Sequence, residues 1–220
     1  MAVLTNLLHQ WSLPPERNFG WKMKDLDSAK TNFTIDNDGA YVLTIEHDII
    51  SEVTPKMLLW WFQNIGGQMV YQGKTYPKYL VWHPKDHIHW SLAKPTTNKI
   101  GVGSYFRIVE AFARNTKFLV DSVERVEKLD ETGIRLSKKI GNIEIFSLQH
   151  DFSQSGNNTI YKSKMVVGVN ENSLGKLFNS YVRPLIFNEE MATAWLKHNI
   201  EEVGNFEFFL PELYYEENMK

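Results

Sequence analysis

Five runs rich in β-branched and aromatic residues follow one another across 104–114, 117–129, 134–139, 142–152 and 159–170, separated only by Asn115-Thr116, residues 130–133, Gly141 and residues 153–158. Connections this short cannot hold a crossover helix, so neighbouring runs must turn back on themselves as antiparallel hairpins. A helical pattern then occupies 173–203, with Pro184 marking a kink or break in its first third and Gly204 closing it. A large meander followed by one long helix predicts an α+β helix-grip (START-like) fold, a curved antiparallel sheet around a long C-terminal helix. A cavity between sheet and helix is the usual consequence.

Upstream, residues 40–50 read as a further strand. Thr54-Pro55 opens a helix with Thr54 as N-cap, running to about Ile65 and stopping at Gly66-Gly67. Residues 71–78 read as a loop leading into a short apolar strand, 79–82, that ends at His83, and a second loop passes through Pro95 and Asn98. Residues 1–38 are expected to form an N-terminal extension, and 39–220 a single helix-grip catalytic domain.

Charge and composition limit the chemistry. A formal net charge of −2 supplies no field for nucleic acid or an anionic membrane surface, so neither is expected as a partner. The chain has no Cys, which leaves only nitrogen and oxygen to hold a metal. No secretory or membrane-spanning pattern is present, and a cytoplasmic location is expected.

The densest chemistry is the stretch from Val81 to Trp90, which contains His83, His87 and His89, three of the chain's seven histidines. Imidazole suits both metal ligation and proton transfer near neutrality, although histidines on a strand or turn are commonly only solvated or hydrogen-bonded. In the strand 104–114, alternation puts Glu110 on one face with Phe106, Ile108 and Phe112, where a carboxylate needs an ion-pair partner or a metal. On the last helix, Met191, Ala194, Trp195, His198 and Glu202 recur at spacings of three and four, so His198 and Glu202 can reach one ion from adjacent turns. Glu201 competes with Glu202 on periodicity alone. The same counting turns His150 and Tyr161 inward as candidates for hydrogen bonds to a ligand.

Three segments together resemble the family of diacetylphloroglucinol hydrolase and phloretin hydrolase. They are residues 54–62 with the Trp60-Trp61 pair, residues 79–87 with His83-Pro84-Lys85-Asp86-His87, and residues 198–204. The resemblance implies a helix-grip fold and a hydrolase that cleaves the C–C bond between an acyl group and a polyhydroxylated, phloroglucinol-type ring. It implies zinc, one ion per chain, held by His83, Glu110, His198 and Glu202, with iron or manganese compatible with the same ligand types. Asp86 and His87 would face a small aromatic acyl-phenol substrate, with His87 or His150 moving protons and Tyr161 or Tyr79 orienting hydroxyls. A homodimer is compatible with this reading. Two rival functions keep the fold: a metal-free helix-grip small-molecule binding protein, and a polyketide cyclase or dehydratase.

Overall fold

The computed structural model describes residues 11–94, 99–169 and 173–218. Its centre is an eight-stranded antiparallel sheet in the order β1-β2-β10-β9-β8-β7-β6-β5. The strands are β1 (Lys30–Ile35), β2 (Tyr41–Glu46), β5 (His87–Leu92), β6 (Tyr105–Ala111), β7 (Leu119–Asp130), β8 (Gly133–Ile140), β9 (Ile143–Ser155) and β10 (Asn158–Val167). From β7 to β10 each strand pairs with the next through a short turn, whereas β6, which stops at Ala111 short of the expected residue 114, reaches β7 through two 3-10 turns over 112–118. A separate hairpin, β3 (Gln68–Tyr71) and β4 (Lys74–Pro77), occupies the segment expected to be a loop.

The helices are α1 (Pro55–Asn64), α2 (Lys78–Trp82), α3 (Ser173–Leu177), α4 (Arg183–Ile186) and α5 (Glu189–Asn218), with a π-helical turn at Phe178–Val182 between α3 and α4. The Thr54 hydroxyl caps α1 by accepting from the Met57 N–H, and Pro55 occupies the first turn. The grip itself is the 30-residue α5, which packs against β2 of the sheet and against α1. Among the described residues no helix is long and apolar enough to cross a membrane.

Three further expectations change. The run 79–82 is helical, not a strand, and His83 beyond it turns extended because Pro84 follows. The closing helix breaks at Phe187-Asn188, not at Pro184, and runs past Gly204 to Asn218. Gly204 is a point of close approach: a Cβ there would lie 2.8 Å from Cγ of Lys24, which crosses the helix. Third, the boundary at 38/39 falls within a hairpin, since β1 pairs with β2 in register from Lys30↔Glu46 to Ile35↔Tyr41. The loop through Pro95 and Asn98 lies outside the described residues.

Two apolar clusters flank the middle of α5. One gathers Trp61, Trp82, Phe206 and Phe209 between α1, α2 and the C-terminal half of α5; the other gathers Leu43, Met165, Trp195 and Ile200 between the sheet and its N-terminal half. Trp61 has no exposed surface and packs edge-on against Trp82, Phe206 and Phe209. Trp61→Ala is expected to cost ~3–5 kcal/mol, read as a lower urea midpoint with an unchanged m-value.

Candidate metal centre and cavity

Between the two clusters lies a buried group of ionisable side chains. Its parts arrive from three elements by simple register. His87 opens β5 and pairs directly with Glu110 on β6, so their side chains leave the same face as cross-strand neighbours. His198 and Glu202 come from successive turns of α5. One ligand atom from each of these four residues lies within 4.8 Å of all the others.

The hydrogen bonds behind the rings decide which nitrogens face inward. His87 Nδ1 lies 2.7 Å from the Tyr79 carbonyl, which can only accept, so Nδ1 carries the proton and Nε2 presents a lone pair. His198 Nδ1 lies 3.1 Å from the Asp86 carboxylate, with the same result. Both Nε2 atoms are buried and lack a hydrogen-bond partner. They stand 3.3 and 3.5 Å from Glu110 oxygens and 3.4 and 3.8 Å from Glu202 Oε2. Ligand bonds of about 2.0–2.1 Å at a tetrahedral zinc place neighbouring donors roughly 3.3 Å apart, so this set fits a small divalent ion.

The group differs from the expected ligand set at one position, with His87 standing where His83 was expected. The ring of His83 is engaged elsewhere: Nδ1 accepts from the Asp86 N–H at 3.1 Å, and Nε2 faces Glu201 at 3.3 Å. His83 stacks on His198, ring centroids 4.5 Å apart, and falls in a second group with Asp86 and His198. Glu201 thereby turns to His83 and Lys197, while Glu202 faces the centre. Glu202 Oε1 accepts from Asn199 Nδ2 at 2.5 Å, leaving Oε2 inward. Glu110 is tied by a very short bond from the Tyr79 hydroxyl, and that ring stacks on His87 at 3.8 Å.

Asp86 does not reach the cavity as a partner for a phenol. Its carboxylate accepts from the Ala113 and Arg114 N–H groups at 2.9 and 3.1 Å as well as from His198. Ala113 and Arg114 both adopt positive φ, 53° and 54°, which turns successive N–H groups toward one anion. Burial opposes the charge on Asp86, but the His198 bond, the neighbouring imidazoles and these N–H groups together hold its carboxyl well below the usual range. His89 takes no part and stacks on Trp11 instead.

Next to this group opens a cavity of about 570 Å³, walled by rings such as Phe62, Trp90, Phe106 and Phe112, with Tyr79, Glu110 and Glu202 at its polar wall. His150 also lines it. Its Nδ1 lies 2.8 Å from Ser163 Oγ, which in turn lies 2.8 Å from His47 Nε2. Burial pushes His150 down to about 3 and keeps the ring neutral. Tyr161 is buried with its hydroxyl unpartnered and packs against His150 and Phe152 behind the wall. The sequence reading missed Glu124, which lines the cavity; alternation with Ser122 and Val126 along β7 was the signal that could have found it.

No family model and no curated protein matches the chain, so the family resemblance rests on the quoted motifs alone. Similar solved structures include the di-domain ARO/CYC BexL from the BE-7585A biosynthetic pathway, at 11% identity over 79% of this chain and 50% of that one, TM-score 0.49. A START superfamily protein from Mycobacterium smegmatis is 11% identical over 79% of this chain and 98% of its own, TM-score 0.46. Ara h 8.0201 is 12% identical over 72% and 97%, TM-score 0.38. The chain has the helix-grip fold. The expected hydrolysis of the C–C bond of an acyl-phloroglucinol is corrected here, because the solved structures it is similar to are START-like and ARO/CYC proteins and none of those named is such a hydrolase.

Without an ion, one proton substitutes for some of its charge. Burial disfavours protonated His198, but Glu110, Asp86 and Glu202 outweigh it and raise the ring to about 9. The folded state then holds a proton that the unfolded chain releases near its ordinary histidine pKa, so this contribution is present below that value and is lost as pH rises through about 9. In chelator-treated protein, urea unfolding is expected to show stability falling from about pH 7 to pH 9, a slope that His198→Gln removes.

Proposed function

We propose that the chain is a helix-grip protein that encloses an oxygenated aromatic or polyketide-type small molecule and acts on it by acid–base chemistry of the cyclase or dehydratase kind. The observation that carries this reading is the ring-walled cavity with ionisable groups gathered along one wall. Aromatic walls favour a planar ligand, while the convergent polar groups orient its oxygens.

Ring closure needs a base to take a proton from a carbon beside a carbonyl. The resulting enolate carbon then bonds to a second carbonyl carbon, and that oxygen receives a proton. For His150 the support is position: Ser163 holds Nδ1 and leaves Nε2 for a ligand, while burial, by lowering the ring to about 3, weakens it as a base until a bound oxyanion lies beside it. Tyr79, whose hydroxyl proton is given to Glu110, keeps oxygen lone pairs that suit accepting from a ligand hydroxyl. His150→Ala is expected to abolish ring closure or water loss with aryl 1,3-diketones followed by absorbance, while leaving their affinity within about threefold. Leu148→Trp, which fills the cavity, should instead weaken 2-naphthol binding by at least about tenfold, measured by quenching of tryptophan fluorescence. Unaltered binding in that variant would remove the cavity from the reading.

A second reading concerns the polar wall, where two orphaned Nε2 atoms meet two carboxylates. His87, Glu110, His198 and Glu202 would hold a divalent ion, zinc by ligand type, with iron or manganese also compatible. When bound, such an ion supplies Lewis-acid polarisation of a carbonyl or enol oxygen. Metal analysis is expected to find about one zinc per chain, lost in His87→Ala and Glu110→Ala and retained in His83→Ala. A folded wild type that takes up no metal after incubation with zinc sinks this reading and leaves the cavity reading standing.

A further inference from the structure

The cavity has a second polar place that the acid–base reading does not use. Register across the sheet pairs Glu110 with Val120, Ile108 with Ser122 and Phe106 with Glu124, and the buried positions of β7 include Ser122, Glu124 and Val126. On the other side of β7, Arg125 pairs with Ser137, so Lys138 stands beside Glu124 on the cavity side. Ser122, Glu124 and Lys138 all line the cavity. Lys138 Nζ donates to Ser122 Oγ at 3.4 Å, and the Ser122 hydroxyl is the hydrogen-bonding neighbour of Glu124. Ser122 and Glu124 retain only 8% and 5% of their exposure, and Glu124 has no ion pair among the described residues. Burial, with some help from Glu110, pushes the Glu124 carboxyl up to about 7 against the opposing influence of Ser122 and Lys138. Near neutrality a carboxyl in this state can donate a hydrogen bond as well as accept one.

Polar groups withdrawn from water in an apolar wall are costly unless something meets them. The rows containing Glu110 and Glu124 are four residues apart along β6 and β7, about 13 Å at the rise of a strand. We infer that Ser122, Glu124 and Lys138 form a second oxygen-binding subsite, and that the ligand is a planar molecule of two or three fused rings with oxygen at both ends. One oxygen faces Tyr79, Glu110 and Glu202, and the distal hydroxyl or carboxylate reaches Lys138 and Glu124. This inference rests on the cavity reading above and specifies its ligand class.

The test compares 2-naphthol, 2,6-dihydroxynaphthalene and 6-hydroxy-2-naphthoic acid by tryptophan quenching. Wild type is expected to bind the two double-ended probes about tenfold more tightly than 2-naphthol. Lys138→Met should remove the advantage of the carboxylate probe, and Glu124→Leu that of the diol, with 2-naphthol unchanged in both. Glu124→Gln, which keeps size and polarity, serves as the check if the leucine variant does not fold. Equal binding of all three probes by wild type overturns the subsite alone, as does an equal loss for all three in the variants. Failure of every probe to bind overturns the cavity reading and the subsite with it.

Discussion

Everything near the middle of α5 depends on how three carboxylates and three imidazoles are buried together. An uncompensated charge in such a place would cost several kcal/mol, so each group must be met locally. Asp86 is met by two backbone N–H groups and His198, Glu202 by Asn199, and Glu110 by Tyr79. The Asn199 bond occupies the outward oxygen of Glu202, while Tyr79 bonds the same Glu110 oxygen that faces His87. The two Nε2 lone pairs and the inward carboxylate oxygens remain facing one another, which makes the centre a place for a cation or a proton rather than a second layer of hydrogen bonds.

The surrounding architecture keeps these atoms at fixed separations. Trp82 donates its indole N–H to the Glu202 carbonyl at 2.8 Å, and Asn205 returns an amide N–H to the Trp82 carbonyl at 2.9 Å. This reciprocal pair locks the end of α2 to α5 at the level of the site. The sheet contributes Glu110 through ordinary strand pairing, and the cavity begins where the polar contacts stop. Fold and site are thus the same object: the ring clusters that stabilise α5 also exclude water from the ionisable group.

The sheet from β6 to β10 and the capped α1 were legible because period-two runs, short turns and the Thr54-Pro55 cap act locally. Glu110 and His198 were legible for the same reason, since each lies on a regular element whose inward face can be counted, whereas periodicity left Glu201 and Glu202 open and only the family resemblance chose between them. His87 was placed on the substrate side and His83 among the ligands by the family resemblance, and Pro84 breaks the periodicity that could have tested that placement. Only the helical turn of 78–82 and the pairing of His87 with Glu110 determine which ring points inward. Asp86 was misjudged because its partners are backbone N–H groups at two left-handed residues, a feature without a side-chain signature. Gly204 reads as a helix stop, yet the helix needs it for clearance against Lys24.

The clamp between Trp82 and α5 has a bearing on how such a chain can diverge. His83 to Asp86 form a spacer stretched between two anchored points, the locked end of α2 and the first pair of β5. Adding or deleting one residue there would leave the hydrophobic pattern of the chain almost untouched and still rotate the His87 ring away from its partners. The turn between β9 and β10 carries no such duty. Length variation among descendants of this chain should therefore accumulate at hairpin tips, while the spacer keeps its count even as its residues change.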